Sequence, residues 1–178
     1  NLIQKKIDFI RSHPRLDILF VLIGLGIFAL ISFLNMTNSS IWFDEAFSAY
    51  IVQFNFAEIV TYTAADVHPP FYYWVLKVWT MLFGTSEIAF RSMSVLFGAG
   101  AIVAAYLLAR RFFGRLIGGV SLLFLVVSPM LIRYSDEARM YTLAAFIILI
   151  ASHVLVKATE LNKRRYWILY GILVSLGM

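Results

Sequence analysis

The sequence contains no cysteine, few charged residues and only ten acidic side chains. The lack of cysteine excludes a disulfide framework and a zinc site with cysteine ligands. Charged residues make up 14% of the 178 residues, which leaves no room for a separate soluble domain. The chain also lacks internal repeats, low-complexity segments and a cleavable signal pattern, and nothing in it indicates a nucleic-acid partner.

What the chain has in abundance is apolar sequence. Hydrophobic residues account for 61% of it, and its mean hydropathy is +0.83. A membrane-spanning helix needs about 20 apolar residues, and several runs approach that length. The sequence therefore predicts an all-α, multi-pass membrane bundle, and its short last run favours the N-terminal part of a longer protein. The predicted spans are 16–34, 89–109, 113–132, 140–156 and a truncated fifth at 166–178.

The segment 71–83 decides the topology, because it is apolar but only about two-thirds of a span and contains Lys77. If it is an interfacial helix within a loop over 35–88, eleven basic residues fall on one side of the membrane and four on the other. If it is a true span, every later loop changes sides. The first arrangement obeys the positive-inside rule. It predicts a cytoplasmic, basic and amphipathic segment over 1–15, an extracytoplasmic first loop and a functional site on that outer face, in a bacterial cytoplasmic membrane.

Two adjacent carboxylates, Asp44 and Glu45, lie in this loop directly after an apolar, aromatic stretch. Partial removal of water from a carboxylate raises its pKa and makes it a better base. An alternative is structural, since Asp44 could cap the helix that follows and acidic residues favour a first turn.

Further along the loop, Asp66 and His68 precede the pair Pro69-Pro70. Prolines stop a helix before them and permit one to start after them, so both side chains would be held in a defined pose. Histidine there can ligate a metal, donate to phosphate or transfer protons. A simple turn explains the same residues equally well.

The second outer loop combines acidic and basic residues. Arg133 and Glu137 could pair across one helical turn and merely neutralise a helix start. Alternatively, Arg133 or Arg139 binds a phosphate beside Asp136 or Glu137, since the guanidinium fork suits phosphate.

Two basic residues near the outer face each have two possible roles. Arg91 lies near the start of a span, where a charge should face protein or water, and Glu87 four residues earlier is a candidate partner. A substrate phosphate is the other candidate. Lys77 either extends its ammonium group to the interface or contacts a lipid phosphate.

Hard oxygen and nitrogen ligands for a divalent cation are also present. The candidates are Glu45, His68 and Asp136. Nothing in their spacing requires a cation.

Four motifs in order resemble the N-terminal half of a GT-C-fold glycosyltransferase. Within the GT-C glycosyltransferases, the chain resembles the branch of dolichyl-phosphate-mannose protein mannosyltransferase-like enzymes, which includes bacterial aminoarabinose transferases. Each motif alone is weak, whereas the order of all four is specific. They are Trp42-Phe43-Asp44-Glu45, Asp66-Val67-His68-Pro69-Pro70, Phe90-Arg91-Ser92 and Asp136-Glu137-Ala138-Arg139-Met140-Tyr141.

The resemblance implies transfer of a sugar from a polyprenyl-phosphate carrier to an acceptor on the extracytoplasmic side, with inversion at the anomeric carbon. It implies that Asp44 is the general base with Glu45 beside it. The implied donor-site residues are His68, Asp136, Glu137 and Arg139, with Asp66, Arg91 and Lys77 as further candidates. The acceptor is not identified. Alternatives are a non-catalytic lipid-binding or assembly module and a fragment of a transporter.

Overall fold

A computed structural model of the chain describes residues 14–37, 40, 42–65 and 68–177. Within these residues the protein is helical and has no strand. The fold is therefore the predicted all-α bundle, and the predicted basic segment over 1–15 lies almost entirely outside the described residues. The helices are α1 (Pro14–Met36), α2 (Phe43–Ile51), α3 (Phe56–Ala65), α4 (Pro70–Phe83), α5 (Glu87–Val126), α6 (Pro129–Ser135), α7 (Tyr141–Leu161) and α8 (Arg164–Leu176).

Three of the described helices, α1, α5 and α7, are long and apolar enough to cross a membrane. Together with the composition they make this an integral membrane protein. The predicted span 16–34 lies inside α1, the predicted span 140–156 overlaps α7 except for its first residue, and the truncated span 166–178 overlaps the 13-residue α8.

Three short helices follow α1. They have 9, 10 and 14 residues, so none has the length of a span. The proline pair acts as the sequence predicts, because Pro69 is the N-cap of α4 and Pro70 its first residue. The Ser128-Pro129 pair has the same effect, since Ser128 caps the short α6 and Pro129 begins it. Within the predicted span 113–132, helix α5 ends at Val126 and α6 begins at Pro129.

Helix α5 reverses direction at Gly114, which has φ 86° and ψ 175°. Ile102 and Val126 belong to one buried cluster with Phe28 of α1. A straight helix would hold these two residues about 36 Å apart, at 1.5 Å per residue. The arms 87–113 and 115–126 are therefore antiparallel, and the turn between the predicted second and third spans lies at Gly114.

We expect Gly114→Ala to destabilise the protein by about 1–3 kcal/mol, because this backbone conformation is essentially restricted to glycine. The matched control is Gly26→Ala in α1, where an added Cβ meets nothing within 4 Å and alanine favours the helix. Thermal unfolding in detergent compares the two variants. Equal melting temperatures for both variants would show that the bend tolerates a side chain.

Two buried clusters hold the bundle together. The inner one joins α1 to both arms of α5 and contains Phe28, Ile102 and Leu122. The outer one packs the short helices against α5 and the start of α7, and it includes Tyr73, Phe90 and Leu143. The outer cluster fixes the loop segments that carry the polar residues described next.

Candidate active site

Asp44 and Glu45 lie in the first turn of α2, with Trp42 as the N-cap residue. The alternative that Asp44 is the cap was therefore wrong. Successive helical residues point about 100° apart, so adjacent carboxylates face different surroundings. The Glu45 side chain is 2% exposed, whereas that of Asp44 is 36% exposed. One carboxylate is built into the protein and the other remains accessible.

Glu45 joins three separate segments of the chain. Arg91 of α5 donates from Nε to Oε1 at 2.9 Å and from Nη2 to Oε2 at 2.7 Å. The backbone N–H of Ala138, in the loop between α6 and α7, also donates to Oε1 at 2.9 Å. The Trp42 N–H lies 3.4 Å from Oε2. We call Glu45 and Arg91 the buried ion pair.

Arg91 also donates to two backbone carbonyls. Nη1 donates to Met36 O at 2.8 Å and Nη2 to Ser40 O at 3.1 Å. Arg91 does pair with an outer carboxylate, but the partner is Glu45 in place of the suggested Glu87, because the guanidinium is directed into the protein, where Glu45 is a bidentate partner. Arg91 thereby ties the end of α1 and the start of α2 to α5.

The pKa of Glu45 reflects opposing effects. Burial raises it, but hydrogen bonds from Arg91 and the Ala138 N–H, with the positive charge of Arg91, lower it below the ordinary value of 4.5. The Trp42 N–H acts in the same direction. At pH values above the ordinary carboxyl pKa, a lowered pKa adds to the free energy of unfolding. This contribution is lost as the pH falls through the lowered pKa. Glu45 is therefore held as a carboxylate at neutral pH.

Asp44 forms a second group with Arg139 and His68. Arg139 Nη2 lies 3.9 Å from Asp44 Oδ2 and 3.2 Å from His68 Nε2, and its Nη1 lies 3.4 Å from the Asp44 carbonyl oxygen. Because arginine only donates, His68 accepts at Nε2, and a neutral ring then carries its proton on Nδ1. The ring lies beside Phe47, 6.2 Å between centroids, and Tyr73, at 6.5 Å. Arg139 thus links the accessible carboxylate of Asp44 to His68, although the three residues are distant in sequence.

Glu45 and Arg91 also line a cavity of about 690 Å³, whose wall does not include Asp44, His68 or Arg139. It opens between the end of α1, the start of α2 and the segment from α6 to α7. Arg133 at this cavity is 77% exposed, and its Nε lies 3.5 Å from Glu137 Oε1, so the predicted pair across one turn is present. The lining residues are Asn35, Ser40, Trp42, Glu45, Arg91, Val127, Pro129, Ile132, Arg133, Asp136 and Glu137.

Asp136 is the most perturbed acid of this cavity. Burial raises its pKa to about 6, and the charge of Glu137 acts in the same direction, while a hydrogen bond from Asn35 and the charge of Arg91 oppose the rise. Its Oδ1 atom is buried and receives no hydrogen bond from the described residues. A hydroxyl of a bound molecule could supply the missing donor.

The raised pKa predicts how Asp136 affects stability. Between about pH 4 and pH 6, Asp136 keeps its proton in the folded protein, whereas the unfolded chain has released it. The free energy of unfolding therefore falls as the pH rises through this range. Asp136→Asn should remove this contribution. The measurement is the melting temperature of both proteins from pH 4 to 7, where the difference between them isolates Asp136 from other acids. A difference that does not change with pH would contradict the assignment.

The other predicted site residues lie elsewhere or cannot be placed. Lys77 donates to the Val52 carbonyl at 2.9 Å and lies 5.8 Å from the centre of the Phe56 ring, so it ties α4 to the turn after α2. Asp66 lies outside the described residues. Among those that the structure does describe, no three histidine or acidic side chains form a group that could hold a metal. A divalent cation stays a prediction.

Some residues at the site had no role assigned to them from the sequence. Asn35 and Trp42 line the cavity, and the Ala138 N–H binds Glu45. In the sequence Asn35 belongs to a polar break between apolar segments, and a backbone donor has no signature in the sequence.

The geometry can be compared with known proteins. The sequence model of a family described as dolichyl-phosphate-mannose-protein mannosyltransferase matches residues 67–178, which is more than half of the chain. Comparison with curated proteins and with solved structures finds no match. The matched region includes His68, Arg91 and the loop with Asp136 and Arg139, whereas Asp44 and Glu45 precede it. The chain belongs to the dolichyl-phosphate-mannose-protein mannosyltransferase family, whose members are membrane glycosyltransferases of the GT-C type.

Proposed function

We propose that the protein transfers a sugar from a polyprenyl-phosphate carrier to an acceptor hydroxyl at the extracytoplasmic face, with Asp44 as the general base. The observation that carries the proposal is the different surroundings of two adjacent carboxylates. Both oxygens of Glu45 are bound by Arg91, and its side chain is buried. Asp44 is on the same rigid turn but remains accessible. A base must reach its substrate, so Asp44 fits this role and Glu45 holds the turn in place.

The reaction needs one base and no acid. Asp44 takes the proton of the acceptor hydroxyl while that oxygen forms a bond to the anomeric carbon. The bond from this carbon to the phosphate oxygen breaks, and its electron pair stays on the phosphate. Phosphate is already a stable anion, so no group has to protonate it. Glycosidases, which expel an alkoxide, need a second carboxyl group as the acid.

Positive charge near the departing phosphate lowers the barrier further. Arg139 lies beside Asp44, and Arg133 is exposed at the neighbouring cavity. We place the donor head group in this region, with His68 next to Arg139 and Asp136 and Glu137 in the cavity wall. The polyprenyl tail would then lie along the apolar outer surface of the bundle, among membrane lipids.

A single displacement inverts the anomeric carbon, and this supplies the direct test. The whole protein is incubated with a polyprenyl-phosphate-linked sugar of known anomeric configuration and an acceptor, and the product is examined by NMR. We expect the opposite configuration in the product. Retention of configuration would overturn the single-base mechanism, and donor binding without transfer would instead support a lipid-binding module.

A further inference from the structure

A second polar group lies at the opposite end of the bundle from the candidate active site. Asp17 is near the start of α1, and Met36, which binds Arg91, is at its end. Nineteen residues of helix separate them by about 28 Å, close to the hydrocarbon thickness of a bilayer. The two groups therefore belong to opposite membrane surfaces, and the reaction proposed above does not use the group around Asp17.

This end of the bundle carries an excess of positive charge around few acids. Asp17 is paired with both Arg110 and Arg115, which flank the bend at Gly114. Arg111 is paired with Glu160 of α7. At this end eight described basic side chains face two acidic ones, a net charge of +6. The basic residues are Arg15, Arg110, Arg111, Arg115, Lys157, Lys163, Arg164 and Arg165.

An apolar cavity of about 620 Å³ begins at this charged group. Asp17 and Arg115 are its charged residues, and the rest of the wall comes from α1 and the two arms of α5. Several wall residues face outward, with Leu116 79% and Phe113 70% exposed. The apolar part of the wall includes Phe20, Tyr106, Phe113, Leu116, Gly119 and Leu123.

In a membrane-spanning protein, this combination is suited to a lipid rather than to a soluble ligand. Outward-facing apolar walls admit a hydrocarbon chain, and a guanidinium group binds phosphate through two parallel hydrogen bonds. Asp17 is paired with Arg110 and Arg115, so its negative charge is compensated, and the positive charge that surrounds the cavity attracts an anionic head group more strongly than a zwitterionic one. We propose that this cavity binds one anionic glycerophospholipid, with the phosphate at Arg115 and an acyl chain between α1 and α5.

Native mass spectrometry of the whole protein in a neutral detergent tests the proposal. Phosphatidylglycerol and phosphatidylcholine with identical acyl chains are titrated separately. We expect tighter binding of phosphatidylglycerol to the unmodified protein. Arg115→Gln should weaken that binding roughly tenfold, because it removes a charge-assisted contact while Arg110 still pairs with Asp17.

Two further variants separate the head-group contact from general attraction. Arg164→Gln removes an exposed arginine from the same end of the bundle but away from the cavity. It should leave the preference for phosphatidylglycerol unchanged. Gly119→Leu places a side chain in the cavity, where an added Cβ would lie 3.7 Å from Phe20. This variant should weaken the binding of both lipids, because the leucine side chain fills the space of the acyl chain.

Three results would overturn the inference. Equal binding of the two lipids by the unmodified protein would remove the head-group preference. Equal losses in Arg115→Gln and Arg164→Gln would indicate diffuse electrostatic attraction in place of a site. Full displacement of phosphatidylglycerol by inorganic phosphate, with no effect of Gly119→Leu, would show that the arginines bind phosphate without a lipid chain.

Discussion

Asp44→Asn should reduce sugar transfer by about 100- to 10,000-fold, the usual contribution of a general base. The amide has the shape of the carboxylate but cannot accept the acceptor's proton at neutral pH. Asp44 is partly exposed and its nearest cation, Arg139, lies 3.9 Å away, so the change should leave the melting temperature nearly unaltered. Initial rates of transfer and thermal unfolding of the same preparation measure both effects.

The matched control is Glu58→Gln. Glu58 is an exposed carboxylate in the first turn of the neighbouring α3, where its Oε2 accepts from the Asn55 N–H at 2.9 Å. Glutamine preserves this capping interaction, so the control removes one charge from the same loop and nothing else. We expect normal transfer. If Asp44→Asn keeps near-normal turnover, or if both variants lose activity equally, Asp44 is not the base.

The sequence predicted the elements of the site better than their partners. The resemblance to GT-C glycosyltransferases implied that the Asp44-Glu45 turn, His68 and the loop with Arg139 form one site, and Arg139 does lie beside both Asp44 and His68. It could not assign different surroundings to Asp44 and Glu45. That difference depends on which side of a nine-residue helix packs against α5 and the loop before α7, which is a matter of tertiary structure.

The partner of Arg91 shows the same limit. Helical periodicity reveals neighbours three or four residues apart, so it pointed to Glu87. The actual partner, Glu45, is 46 residues away in sequence. The turn at Gly114 was predicted approximately, because the predicted second and third spans leave a short loop at 110–112. The exact residue was not predictable, since no periodicity distinguishes the glycine that adopts a positive φ from its helical neighbours.

Arg91→Met should lower the free energy of unfolding by about 3–5 kcal/mol, the usual cost of removing one partner of a buried ion pair. Glu45 would keep its negative charge at 2% exposure with only backbone donors, and the carbonyl groups of Met36 and Ser40 would lose theirs. Transfer should fall as well, because the turn that carries Asp44 loses its attachment to α5. Asp44→Asn, by contrast, should affect activity alone.

Three further proteins separate the contribution of the pair from the general effect of losing an arginine: Arg133→Met, Glu45→Gln and the double variant. Arg133→Met removes an arginine that is 77% exposed, and it should change stability by no more than about 0.5 kcal/mol. The double variant Glu45→Gln with Arg91→Met leaves no unpaired charge, so its loss should be clearly smaller than the sum of the two single losses. Denaturant unfolding of the four variants and the unmodified protein gives the coupling. Additive losses, or an Arg91→Met protein as stable as Arg133→Met, would mean that α2 is held by the apolar contacts of Ile51 and its neighbours and not by the buried ion pair.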